Sequence, residues 1–383
     1  MLKIGANLNE IQYGQDASRR PINYLRTDGT LLRQSTFPHP PDIAGNNFEA
    51  GVYLQDQYSP SDHWLMEPGV RFDWDRIIGH GVVSPRIALT YAFGNRSMTK
   101  ISAGIGLYYD RTALDLIERT QQGIRLDTTF APDGITPTGP AVETLFTCAP
   151  DSLHFPRTLN WSIGMERKLP AEIFLRTNFI QKRGVNQFTF INTVEPDRSI
   201  YLLRNARRDH YDSFEITLRR TLARGYSLFG SYVRSSATTN AALDYTPTLS
   251  IRGPQAGGPL PWDAPNRLIS WGWLPVPKTR RLDFVFAVDW RSGYPFTSVN
   301  VNHELVGSPN SHRFPDYFSF SPGLEFRFRL RKTYFGLRGV AENITGHKNP
   351  LDVNNVVDSP NYLSFIGKQG RAFTARIRII GSN

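Results

Sequence analysis

The chain holds one cysteine, Cys148, in 383 residues, which excludes an intrachain disulfide and a cysteine-built metal cluster. It has no apolar run approaching the ~18–20 residues of a membrane-spanning helix. Its opening, MLKIGANLNEI, carries neither the basic n-region nor the apolar h-region of a signal peptide. Helical periodicity is almost absent, and Thr112–Arg119 (TALDLIER) is the best candidate for a short helix. No nucleophile elbow, phosphate loop or HExxH stretch occurs. Gly104-Ile-Gly106 opens like a dinucleotide fingerprint but lacks the third glycine and a following helical pattern. The eight histidines are scattered, without metal-ligand spacing. These absences predict a chain with no catalytic role, no cofactor and no metal.

What the chain has is charge and aromatics in alternation. Lys and Arg number 44 against 34 Asp and Glu, a formal net charge of +10, with 24 Phe and 16 Tyr. A net positive charge admits nucleic acid, anionic lipid or acidic ligands as partners. The stretch GLEFRFRLRK (323–332) sharpens the choice. Basic residues between aromatics can grip single-stranded nucleic acid, or they can be the wet face of a strand whose other face is apolar. The same period of two recurs with neutral partners at Ile87–Phe93, Ile101–Leu107 and Leu159–Met165, and with charged and neutral ones at Phe214–Leu218, Leu282–Trp290 and Phe373–Ile379. That recurrence favours the strand and excludes nucleic acid.

Connections divide into two kinds. Tight turns are predicted at 59–63, 94–97, 169–171, 223–225, 275–280 and 331–332. Long polar connections are predicted at 14–46, 77–83, 110–157, 182–210, 237–265, 293–313 and 346–370. Strict alternation of short and long, with strands of about ten residues, fits an up-and-down transmembrane barrel with loops at one rim and turns at the other. The count predicts about 14 strands. Aromatic bands are expected at the turn side (Tyr58, Trp64, Phe93, Tyr226, Trp273, Tyr334) and at the loop side (Trp74, Tyr109, Phe179, Tyr232, Trp290, Tyr317). Leu324, Phe326, Phe328 and Leu330 are expected to face lipid. Glu325, Arg327, Arg329, Arg338, Glu342, Arg376 and Arg378 form an expected lumen-facing charged wall. Asp73 and Asp75 bracket Trp74 on the same face, where an ion-paired wall outweighs a cation site. If 331–332 is a two-residue loop, Glu325 falls opposite Arg338.

Several stretches together resemble a family: the C-terminal barrel of TonB-dependent outer-membrane receptors, in particular the Oar-like group. They are GVYLQDQYSP (51–60), PGVRFDWD (68–75), SPRIALTYAF (84–93) with ISAGIGLYYDR (101–111), and PRTLNWSIGMERKLP (156–170). DHYDSFEITLRRTLARGYSLFGSYVRSSA (209–237), WDAPNRLISWGW (262–273), RSGYPF (291–296), RFPDYFSFSPG (313–323) and AENITGHKNPLDVNN (341–355) follow in order. The resemblance implies a 22-stranded barrel with a plugged lumen, in the outer membrane, driven by the TonB complex through an N-terminal box. Residues 1–383 would then be the C-terminal portion of the barrel, with plug, TonB box and signal peptide absent. The function implied is uptake or binding of a bulky substrate. A self-contained porin-like passive channel and a β-rich surface adhesion protein are the alternatives. A barrel portion is expected to leave its first and last strands, 2–11 and 372–380, unpaired with each other.

Overall fold

In the computed structural model, all residues are described except 17, 39–41, 94–98, 195–197, 223–225, 249, 280 and 383. Fourteen long strands make a continuous wall. The first seven are β1 (Leu2–Asp16), β2 (Asp42–Asp56), β3 (Trp64–Asp75), β4 (Gly81–Phe93), β5 (Thr99–Tyr109), β6 (Arg157–Leu169) and β7 (Ile173–Val194). The rest are β8 (Arg198–Thr221), β9 (Ser227–Thr239), β10 (Asn266–Pro275), β11 (Leu282–Arg291), β12 (Tyr317–Leu330), β13 (Thr333–Glu342) and β14 (Ala372–Ser382). Each pairs antiparallel with its sequence neighbours. Six shorter strands extend the wall into a 20-stranded sheet.

The period of two decides which face is which. Leu324 and Phe326 are 48% and 42% exposed, while Glu325 between them is fully buried. Across the ladders Asp283, Glu325, Arg338 and Arg376 stand in one row, and Leu282 opposes Phe326 in the next. Polar side chains thus share the inner face and apolar ones the outer. The register Glu325 to Arg338 is the one a two-residue loop requires, and Arg331 takes the positive φ of 56° that so tight a reversal needs. Glycines admit cross-strand rings at crowded points: a Cβ at Gly45 would strike the Tyr13 ring, and one at Gly5 the Tyr53 ring.

Among the described residues, β1 pairs only with β2 and β14 only with β13 among the wall strands, so the wall has two free edges. This is the open arrangement expected. The turns at 94–97 and 223–225 lie outside the described residues.

Two long connections are corrected. The stretch 182–210 is largely ladder: β7 and β8 run to 22 and 24 residues as one tall hairpin. Its upper part reads as polar loop because, above the apolar span, neither face meets lipid. The connection at 77–83 is a short turn, closed by Asp75 Oδ1, which accepts the Ile77 and Ile78 N–H groups at 2.8 and 3.0 Å. The short helix is Leu114–Arg119, inside the expected stretch.

The remaining long connections build a cap on the loop end. Strands Ile22–Leu25, Leu31–Thr36, Ile124–Thr129 and Val142–Cys148 pair in sequence, and the last runs parallel to β8 along Glu143–Cys148. Arg33 reaches the Asn302 carbonyl at 3.2 Å, joining loops that follow β1 and β11, so the sheet curls with its polar face inward. The principal apolar core lies in this cap. Phe146 stacks on Tyr201 and meets Phe190 edge-on, with Leu153, Leu203, Leu243 and Tyr245 around them.

Candidate functional site: the polar wall and the cap

Near the turn end of the inner face, four of the seven expected wall residues join one network. Glu325 accepts from Arg338 Nε and Nη2 at 2.8 and 2.7 Å and is paired with Arg378 through its other oxygen. Asp283, directly across from Glu325, is 1% exposed in its side chain and pairs with Arg327 Nη2 at 2.7 Å. The same carboxylate accepts the Tyr226 hydroxyl at 2.8 Å and the Trp273 indole N–H at 3.2 Å. Arg327 lies 5.7 Å from the ring centroids of Tyr226 and Trp273, and Arg378 lies 5.5 Å from Trp273. Three guanidiniums therefore surround two carboxylates, each oxygen of which meets at least one donor. The Nε atoms of Arg327 and Arg378 are buried and have no partner among the described residues.

The other three stand apart. Arg329 donates to the Arg331 carbonyl and covers Tyr334 at the turn. Arg376 stands exposed across from Arg338, a like charge, and Glu342 lies at the loop end of β13. The network also corrects the aromatic bands. Tyr226 and Trp273 point inward onto Asp283, and Tyr109 packs on Phe155 of the cap core. Trp64, Phe93, Tyr58 and Tyr334 remain exposed at the turn end, as expected.

Toward the loop end a cavity of about 320 Å³ is lined by Asn7, Glu49, Arg71, Asp73, Asp75 and Arg111, among others. Asp73 takes a two-oxygen contact from Arg71 Nε at 2.8 and 2.7 Å. Asp75 Oδ2 accepts Asn47 Nδ2 at 2.7 Å and Thr112 Oγ1 at 2.8 Å. Both carboxylates are committed to protein donors, and no metal-holding cluster exists among the described residues.

Sequence reading missed the polar centre of the cap. Asp127 sits buried between Arg125, at 2.8 Å, and Arg252, at 3.4 Å, with Ser35 donating to it. Arg33 packs beside them on the Tyr24 ring. His303 Nδ1 lies 3.0 Å from the Ser250 carbonyl. Burial, followed by the charges of Arg33, Arg125 and Arg252, holds the His303 imidazole below its ordinary pKa despite that bond. A depressed folded pKa means the folded cap binds fewer protons than the unfolded chain below about 6.5, so its stability falls as the pH drops through that value. Acidification from pH 7.5 to 5 is expected to speed proteolysis of loop 292–316, and His303→Gln to flatten that dependence. The only local signal was alternation in IRLDTT and VETLFTC.

A model of the outer membrane beta barrel domain matches residues 78–300, more than half of the chain. The chain belongs to the outer membrane beta barrel domain family. In this barrel the exposed apolar face meets outer-membrane lipid, with turns at the periplasmic rim and the cap outside. No curated protein sequence matches it. Among solved structures it is similar to the outer membrane transporter YddB from Escherichia coli, at 14% identity and a TM-score of 0.64, over 98% of this chain and 50% of that one. The ferric enterobactin receptor PfeA from Pseudomonas aeruginosa (a mutant) gives 13% and 0.64, over 97% and 54%. The siderophore receptor PirA from Acinetobacter baumannii gives 12% and 0.64, over 98% and 51%. At such identities the likeness is one of fold. The barrel spans about half the length of the solved structures it matches.

Proposed function

We propose that the chain is the barrel portion of a TonB-dependent outer-membrane receptor of the Oar-like group, and that it binds or takes up a bulky substrate without catalysing a reaction on it. The observation that carries this reading is the open fourteen-strand wall, polar inside and capped outside, alike in fold to transporters and siderophore receptors about twice as long. Unpaired backbone in hydrocarbon costs several kcal/mol per group, so both free edges call for further strands. The inner network then has a role in holding what fills the barrel. The uncovered Arg376 suits an acidic segment of a plug. Energy input would come from TonB through a region N-terminal to the barrel. The test is the DNA upstream of the Met1 codon. An in-frame plug-encoding sequence is expected, while a signal peptide alone would favour the passive channel.

A further inference from the structure

A pocket of about 460 Å³ opens on the inner face where the wall meets the cap. That volume falls within the ~300–1,000 Å³ typical of small-molecule sites. Tyr211, Lys182 and Asp209 reach it from the inward register of β7 and β8, where Lys182 opposes Tyr211 and Gly184 opposes Asp209. Trp262 arrives from loop 240–265, and its neighbours are fixed. The Leu260 N–H donates to the Ala237 carbonyl at 2.9 Å, and Asp263 Oδ1 accepts the Ala237 N–H at 2.7 Å. Asp263 is also ion-paired with Arg313.

A tryptophan anchored on both sides is nonetheless 54% exposed. It stands on the inner, polar face, so lipid does not explain it, and its indole N–H has no partner among the described residues. Its ring centroid lies 5.9 Å from that of Tyr211 at an interplanar angle of 49°. The two rings make a bent apolar platform. Around it stand Asp110, held by Gln187 Nε2 at 3.2 Å, Asp209, held by Arg207, and the Lys182 ammonium 5.7 Å from the Tyr211 centroid. Gly184 keeps the floor open, since a Cβ there would come within 3.3 Å of Asp209 Cβ.

We infer that this pocket is a subsite for a neutral sugar ring of an oligosaccharide, an assignment that rests on the receptor reading above. The electron-rich faces of Trp262 and Tyr211 suit the C–H face of a pyranose. The rim offers carboxylate acceptors beside amide and ammonium donors, which a hydroxyl, being both donor and acceptor, can satisfy together. Asp110 and Asp209 balance Lys182 and Arg207, so the site favours neither an anion nor a cation. A planar base stacked between rings would want them parallel, and these are not.

The receptor, expressed from its complete reading frame and purified from outer membranes in detergent, would be titrated with maltohexaose, cellohexaose and xylohexaose by calorimetry. Saturable binding of at least one is expected. Trp262→Ala should weaken it by about tenfold or more, and Gly184→Val should abolish it. Trp161→Phe, on the outer face, should leave it unchanged, and unaltered heat-modifiable gel mobility would show that each variant is folded. Binding that survives both Trp262→Ala and Gly184→Val, or no binding of any of the three by folded wild type at millimolar sugar, would overturn the assignment. The upstream DNA decides the receptor reading separately. A plug without sugar binding defeats only the subsite, and sugar binding without a plug defeats only the TonB-dependent reading.

Discussion

Glu325→Leu is expected to destabilise the folded wall by about 3–5 kcal/mol, the cost of breaking a buried ion pair from one side. The leucine is similar in size, so the loss is electrostatic. Arg338 and Arg378 would keep their charge and lose the carboxylate they share, while Asp283 is already engaged by Arg327. Their side chains are 32% and 40% exposed, so water in the lumen relieves part of the penalty and the effect belongs at the lower end. Urea titration of the protein in lipid, followed by loss of heat-modifiable mobility, measures it. The triple variant with Arg338→Leu and Arg378→Leu should recover much of the stability, because no unpaired charge remains. A Glu325→Leu variant as stable as wild type would show that the network is hydrated and adds nothing.

A lipid-face charge is expected to cost nearly as much by a different route. Leu324 sits midway along β12 on the outer face, and Arg at the midplane of such a barrel costs about 2–4 kcal/mol. Leu324→Arg should therefore cut the yield of folding into bilayers sharply. The proper control is Arg376→Ala, an exposed inner-face residue with no ion partner among the described residues, which should fold as wild type. Arg327→Ala is not neutral, since it would strip Asp283 of its ion pair. Equal yields for Leu324→Arg and Arg376→Ala would contradict the assignment of faces.

The wall was legible because one physical rule wrote it. Alternation such as Leu324-Glu325-Phe326-Arg327 assigns each side chain to lipid or lumen, and a two-residue turn at Arg331-Lys332 then sets the register. The site was only partly legible. Glu325, Arg327, Arg338 and Arg378 could be placed on one face, but Tyr226 and Trp273 carry both an apolar ring and a hydrogen-bond donor. Sequence position near a rim suggests a girdle for them, whereas the buried Asp283 across the ladder takes their donors. The cap was hidden for a stronger reason. Its residues come from loops far apart in the chain, as Arg33 and the Asn302 carbonyl are, and no local period encodes their meeting. The tall β7–β8 hairpin misled for the same reason: Phe188, Phe190, Tyr201 and Leu203 bury against partners that no neighbouring sequence reveals.

The placement of the cap's core has a consequence for assembly. The wall turns its apolar side chains outward and is satisfied only by hydrocarbon, whereas Phe146, Tyr201 and Tyr245 are buried from water by one another. One chain thus asks for two solvents. Hairpins between adjacent strands close over short separations, while the cap joins segments as far apart as Arg33 and Asn302, and closing long loops is slow. The wall can zip strand by strand as lipid receives it. The cap must then condense on the far side, in water, from loops that have already crossed.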